Sequence, residues 1–399
     1  MNEPRLRFKA DDGSQFPDWE EKKFANLYRK NVEKNVNLEF DSSKTISIAS
    51  MQFNEKGNGA SEDSLSSYKV LRLGDIAFEG HENKEYSHGR FVLNDIGDGI
   101  MSPRFSCMRP VCTQIDGFWK YYIHSERVMR NILVRSTKKG TMMHELVIPD
   151  FLKQSIMVPS LPEQQKIAEF LSTIDTVIEK QKETVSAWEE RKKGVMQKLF
   201  SQEVRFKADD GSDFPEWEEK KLKNILKEYK EYSAKDGSYE HVSLTKEGVV
   251  PKSERYERDF LVKDVDKKYR ITHLGDICYN PANLKFGVIC RNKYGDGIFS
   301  PIYVTFKVCK DMLPEFVEML VTRRDFIEYA LKYQQGTVYE RMSVSPDDLL
   351  SIKVMVPYLE EQQKIADCLS SLDEVIEKQK ATLAAWEELK KGLLQQMFV

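Results

Sequence analysis

The chain has 399 residues, with 61 lysines and arginines against 64 aspartates and glutamates and a formal charge of −3. That balance excludes a protein that is basic throughout, although a local basic face is enough for nucleic acid. No apolar run approaches the ~20 residues that span a bilayer, the opening MNEPRLRFKADDGS has no apolar signal core, and six cysteines without a CxxC spacing read as reduced thiols in a cytoplasm.

From the N-terminus, the first element is a lead-in at residues 7–23, RFKADDGSQFPDWEEKK, which returns at 205–221 as RFKADDGSDFPEWEEKK. It reads as the start of a short amphipathic lead-in whose Trp19 and Trp217 pack against the long arm that follows each insert. An insert follows at 24–150. Short alternating strands (YKVLRLGDIAF, RFVLND, GIMSPRFSCMR) are separated by Gly, Asn and Asp turns and followed by a helix-like stretch, FWKYYIHSERVMRNIL. The insert ends in a Gly-Thr loop, RSTKKGT.

Residues 158–200 form the first arm, VPSLPEQQKIAEFLSTIDTVIEKQKETVSAWEERKKGVMQKLF. Ile167, Phe170/Leu171, Ile174, Val177/Ile178, Trp188, Val195 and Leu199 keep heptad-like 3-4 spacing. Pro162 and Glu163 suit a helix start. A helix of about 38 residues in this arm would be ~57 Å long at 1.5 Å per residue.

The second half repeats the order. Its insert at 222–350 has the same elements (YRITHLGDICY, GVICRN, GIFSPIYVTFKV, then LPEFVEMLVTRRDFIEYALKY) and its own Gly-Thr loop, YQQGT, but shares only scraps such as GDI and GDGIxSP. The second arm, 356–398, copies the first, with Ile365, Leu369, Leu372, Val375/Ile376, Trp386, Leu393 and Met397 in the seam and Glu360 and Glu361 at its start. Both repeated blocks recur at one offset of 198 residues. The protein is therefore a tandem duplication whose frame is kept and whose inserts diverge, with domains at 1–157 and 205–355 and helical spacers at 158–204 and 356–399.

This predicts an α/β protein in which two pseudo-two-fold-related mixed α/β domains are joined by two long antiparallel, coiled-coil-like helices. Neither arm can hide its seam alone, so each buries the other. Gln181 and its copy Gln379 interrupt the seam near the middle, either as a register-fixing pair or as solvated edge positions. Closed symmetry further predicts that Phe398 lies near Arg7, that Trp188 and Trp386 fall on opposite sides of the crossing, and that the termini meet.

A search for chemistry finds no GxxxxGK[ST] loop, no GxGxxG after a strand and no HExxH. His144-Glu145 stands alone. Asn280-Pro281 begins a methyltransferase-like pattern that Ala282 breaks. Pro17-Asp18 with Glu20 and Lys22 imitates a nuclease pattern, but its elements lie too close together to span two strands. No catalytic or metal site is expected. Polar and basic side chains do gather in the diverged loops, where phosphate contacts and base-edge reading would be carried out. The candidates are Asn83, Lys84, Arg90, Arg135, Lys138 and Lys139 in the first insert, and Lys252, Arg255, Asn283, Lys285, Gln334 and Gln335 in the second. The plainer reading of these runs is a solvated face.

Two diverged inserts, each leading through GT and then L(P/E)EQQKIA into a long helix, resemble the specificity subunit of type I restriction-modification enzymes over essentially the whole chain. The resemblance implies target-recognition domains that each read half of a bipartite site in double-stranded DNA. It also implies arms that act as a ruler and dock two methylation subunits, with Ile167, Ile174, Gln181, Trp188, Val195, Ile365, Leu372, Gln379, Trp386 and Leu393 as the positions for pairing the helices or docking a partner. S-adenosylmethionine, ATP and Mg are then expected on the methylation and restriction subunits, with no cofactor and no catalysis in this chain. Glu360 in place of Pro162 leaves the start of the second helix open. The alternative is a scaffold that joins two protein-binding domains without DNA.

Overall fold

The computed structural model describes residues 4–54, 62–233, 238–246, 248–252, 268–335 and 342–398. The chain divides into two compact units, one made of residues 1–185 and 379–399, the other of 186–378. Each unit thus takes part of each arm.

In the first unit the lead-in strand Glu20–Lys23 pairs antiparallel with Ser155–Val158, the strand that immediately precedes the arm. The equivalent pair in the second unit is Glu218–Lys221 with Lys353–Val356. The repeated EEKK at the end of the lead-in is thus a strand, held by the strand that precedes the arm. The tryptophan before it does reach the buried core. Trp19 stands edge-on to Phe118 and Tyr122, while Trp217 stands edge-on to Phe200 and Phe316 and donates its indole N–H to Glu361 at 3.1 Å.

Beside this pair each unit carries a four-stranded sheet of the same order. In the first it runs Tyr28–Lys30, Ser106–Pro110, Ile76–Glu79, Arg90–Leu93; in the second, Leu226–Glu228, Val304–Val308, Ile277–Tyr279, Ile289–Arg291. The second unit adds a five-stranded sheet, Tyr232–Ser233, Tyr269–Thr272, Gly297–Phe299, Glu240–Leu244 and Val249–Pro251. In the first unit that layer is reduced to Lys69–Leu71 paired with Gly99–Met101 and to Ile46–Ser47 paired with Gln52–Phe53. Single bridges at Lys34–Lys69 and Thr45–Ile100 stand where fuller strands run in the second. Two helices then lead back towards the arm: Asp116–Tyr122 and Glu126–Ser136 in the first unit, Pro314–Thr322 and Arg324–Ala330 in the second.

The arms are continuous helices, Leu161–Phe200 and Leu359–Met397. They start at equivalent residues, so Pro162 is not what begins the helix. In the first unit Gln181 meets Gln379 and Asp175 meets Lys390 at 2.5 Å. As one number falls the other rises, and the arms are antiparallel. The second unit gives the same answer: Lys192 meets Asp373 at 2.5 Å, and Leu199 shares a core with Ile365 and Leu369. Trp188 belongs to one unit and Trp386 to the other.

The apolar seam does two jobs. Ile167, Ala168 and Leu171 are buried in the domain core with Trp19, Phe118, Tyr122 and Phe398, against which Leu393 packs. Ile365 and Leu369 do the same in the second unit, with Val195 and Leu372 packed alongside. Ile174, Ile178 and Val185 continue the buried stripe, whereas Trp188 and Trp386 are only half-buried. The termini come together within the first unit: Leu6 N–H donates to Gln396 O at 3.1 Å, as Val204 N–H donates to Lys198 O at 3.3 Å in the second.

The signature EQQK joins the two repeated blocks. Glu163 has a fully buried side chain and accepts two hydrogen bonds from Arg7, at 3.0 and 2.9 Å; Glu361 and Arg205 reproduce them at 3.1 and 2.8 Å. Gln164 donates to Pro159 O and accepts from Ile115 N, fixing the entry of the domain helix, and Gln362 does so with Pro357 O and Leu313 N. Lys166 reaches Lys9 O and Asp11, and Lys364 reaches Lys207 O and Asp209. Among the described residues, no helix is long and apolar enough to cross a membrane.

Candidate nucleic-acid interface

The diverged loops meet in each unit. In the first, Ile76–Glu79 and Arg90–Leu93 are neighbouring strands, and the loop between them lies against a hairpin built from Thr137–Lys139 and His144–Leu146. His144 N–H donates to Gly80 O at 2.8 Å, Lys139 stands 3.9 Å from Glu82, and the rings of His88 and His144 are 5.1 Å apart. The approach requires glycine at position 80, where a Cβ would stand 1.9 Å from His144 O. Lys84, Lys138 and Lys139 are exposed. Lys138 pairs with Glu145 at 3.1 Å, an exposed ion pair of small worth that a phosphate could displace. Asn83 turns its Oδ1 back to accept from the N–H groups of Glu85 and Tyr86, which shapes the loop.

Two first-insert candidates stand apart. Arg90 donates to Glu79 and to Ala49 O at 2.9 and 2.8 Å and lies over the Tyr86 ring, so its charge is already matched within the fold. Arg135 is exposed in the last turn of Glu126–Ser136 and lines a cleft with Lys153 and Ser155, rather than the hairpin tip.

In the second unit, the loop after Ile277–Tyr279 forms a short 3-10 helix, Pro281–Phe286, capped by Asn280, whose side chain accepts from Ala282 N. It too abuts the hairpin position. Val344 N–H donates to Pro281 O at 3.2 Å, Tyr279 O–H donates to Val344 O at 3.1 Å, and Gln335 and Ser343 exchange backbone hydrogen bonds at 2.9 Å. Asn283 and Lys285 are exposed, and Lys285 lies 4.9 Å from the Phe286 ring centre. Gln334 is half-buried, and Gln335 donates to Asp348 at 3.1 Å. Lys252 is half-buried, just past the strand Val249–Pro251; Arg255 lies outside the described residues.

Behind each loop pair lies a polar spine that sequence reasoning missed. Asp75 of the first GDI accepts from Arg109 at 2.9 Å twice, from Asn31 and from Arg72 N. Glu33 joins Arg109 to Arg72, at 2.7 and 2.6 Å, and Arg72 continues to Glu39 and Asp98. Burial opposes ionisation of Glu33, but the hydrogen bonds from Arg72 and Arg109 outweigh it and hold its carboxyl below the usual range. In the second unit, Asp276 of the other GDI accepts from Tyr229 O–H and from His273 N, and Asp296 of GDGI meets His273. The shared scraps GDI and GDGI were the available signal, because letters that survive in an otherwise diverged insert mark a common structural need.

The family model described as the type I restriction modification DNA specificity domain matches residues 100–186 and 319–385. The chain is 27% identical over 304 residues to the type I restriction enzyme MjaVIII specificity subunit of Methanocaldococcus jannaschii, covering 68% of each chain. A second protein of that organism, assigned as the MjaX specificity subunit, is 24% identical over 376 residues, 88% of this chain and 84% of its own. By these matches the chain is similar to type I restriction-modification specificity subunits. The fold agrees. A type I system S subunit from M. genitalium superposes with a TM-score of 0.54 at 14% identity, over 100% of this chain and 99% of that one. A chain from a structure of type I system assembly and conformational transition gives 0.54 at 15%, over 96% and 98%. The matched segments of the family model include the junctions of insert and arm, where the two halves of this chain keep their frame.

Proposed function

We propose that this chain is a specificity subunit, each unit of which reads one half of a bipartite, asymmetric site in double-stranded DNA. The observation that carries this reading is the juxtaposition, in both units, of the most diverged loop with the hairpin before the arm, on a frame whose hydrogen bonds and ion pairs recur from one unit to the other. Two non-identical readers on a common frame imply a split target of two unlike halves, where identical readers would imply a palindrome. Lys84, Lys138 and Lys139 in the first unit and Asn283 and Lys285 in the second are the exposed side chains we assign to DNA. Arg90 and Gln335 act behind them by shaping the loops.

The arms, which run from one unit into the other, set the unread spacer and present the same docking surface twice, to two methylation subunits. In this reading the chain is a non-catalytic, cytoplasmic recognition subunit. S-adenosylmethionine is held by the methylation subunits, and ATP and Mg by restriction subunits of the full complex. The test is to map modified adenines in a genome with and without the gene. Two unlike half-sites at fixed separation, lost on deletion, would support the reading. A palindromic or unchanged pattern would refute it, and failure of the chain to bind duplex DNA would favour the protein scaffold.

A further inference from the structure

The polar spine is built twice with different side chains, among them Lys307 for Arg109, and the change at His273 makes a permanent cation titratable. Strand register establishes the equivalence: Leu71 faces Gly99 and Thr272 faces Gly297, so Arg72 matches His273, and Asp98 matches Asp296. Arg109 faces Arg29 as Lys307 faces Lys227. Between these cations stand Glu33 and Glu231. Arg72 lies 2.6 Å from Glu33 and 3.0 Å from Asp98. His273 holds Asp296 at 3.0 Å through Nδ1 and Glu231 at 3.3 Å through Nε2. A neutral imidazole has one N–H and cannot donate to both carboxylates; the imidazolium can.

We propose that His273 is a positioning residue for the second half-site, bridging Glu231 and Asp296 with a titratable ring where Arg72 bridges Glu33 and Asp98 with a permanent cation. This rests on the reading of the units as DNA readers. Glu231, His273 and Asp296 lie beside the five-stranded sheet, whose last strand leads to Lys252. Lys307 lies in one inner strand of the four-stranded sheet and Asp276 immediately precedes the other, whose following loop carries Asn283 and Lys285. The bridge therefore sets the five-stranded sheet against the sheet whose loop presents Asn283 and Lys285.

The groups facing His273 are Asp296, Glu231 and Asp276, the ring of Tyr229 stacked at 18°, and Lys307, which lies 3.5 Å from Glu231 and 4.4 Å from the Tyr229 ring centre. Burial opposes its protonation, but the bonds to Asp296 and Glu231 outweigh burial and raise its pKa above the ordinary histidine value. A raised pKa means that the bridge is complete below about 6.5, the unfolded value, and is lost as pH rises through the folded value. Binding by the second unit should weaken with rising pH, and the contribution of the Arg72 bridge in the first should not.

The experiment measures affinity of the full chain for duplexes in which one half-site is scrambled, from pH 5.5 to 8.5. With only the second half-site intact, binding is expected to fall about two- to fivefold across the range, the worth of one partly exposed ion pair. His273→Arg should remove that fall, and His273→Gln should show the weaker, high-pH affinity throughout. In parallel, amide exchange of Tyr269–Thr272 and Gly297–Phe299 without DNA should quicken with pH in the wild type and not in His273→Arg. A His273→Arg chain that keeps the wild-type pH profile in both measurements overturns the proposal. If no duplex binds at any pH, the DNA reading fails, while amide exchange still decides the role of the bridge.

Discussion

Gln181 donates its Nε2–H to Oε1 of Gln379 at 2.7 Å, so the one polar interruption of each arm meets its own copy, 198 residues away. The same group reaches the Gln379 backbone carbonyl at 3.0 Å. Antiparallel arms bring these residues together in one register only. Removing one partner strands the other in a half-buried seam, so Gln181→Ala should cost about 1 kcal/mol. Gln181→Leu with Gln379→Leu should recover that loss while loosening register. A double-mutant cycle by denaturant unfolding of the full chain checks this; additive effects would mean that the pair is merely solvated.

Arg7 and Glu163 provide the strongest local test of the frame. Arg7→Met leaves a fully buried carboxylate without its cation and should destabilise the first unit by about 3 kcal/mol. Arg205→Met should do the same to the second. Amide exchange read separately over 4–30 and 205–228 should show each loss confined to its own unit. Equal exchange in wild type and variant would make the pair a surface ornament.

The arms and the alternation of strands and turns were legible because heptad spacing and the repeat offset report local periodicity directly. The EEKK strand was not, since its partner lies more than a hundred residues downstream and its charged letters carry no alternation of apolar residues. Glu163 read as a helix-start acid and proved to be the buried partner of Arg7; only the joint recurrence of RFKADD and EQQKIA hinted at that link. Among the loop candidates, Lys138 and Lys139 fall on a hairpin that the fold leaves exposed, as a run of charged letters around a glycine suggests. Sequence could not tell that Arg90 spends its charge on Glu79 or that Arg135 faces a different cleft, because both depend on which carboxylate the fold brings near.

Lys138 and Lys139 sit on that hairpin beside the diverged loop. Alanine at both should weaken binding to all duplexes alike and reduce the slope of log affinity against log salt by about one for each phosphate no longer neutralised. Affinity titrations from low to moderate salt decide this; unchanged affinity and slope would remove the hairpin from the interface.

Adding four residues within one arm inserts ~6 Å of helix, nearly two base-pair rises. The expected outcome is a longer spacer in the modified site, or loss of modification if the arms no longer pair. An unchanged spacer would show that the arms do not measure DNA.

Replacing residues 24–150 with the corresponding insert of a relative separates the two proposed readers from the frame they share. Modified adenines mapped before and after the exchange should show one half-site changed, with the other half-site and the spacer intact. A change in both half-sites, or in the half-site assigned to the second unit, would contradict the account.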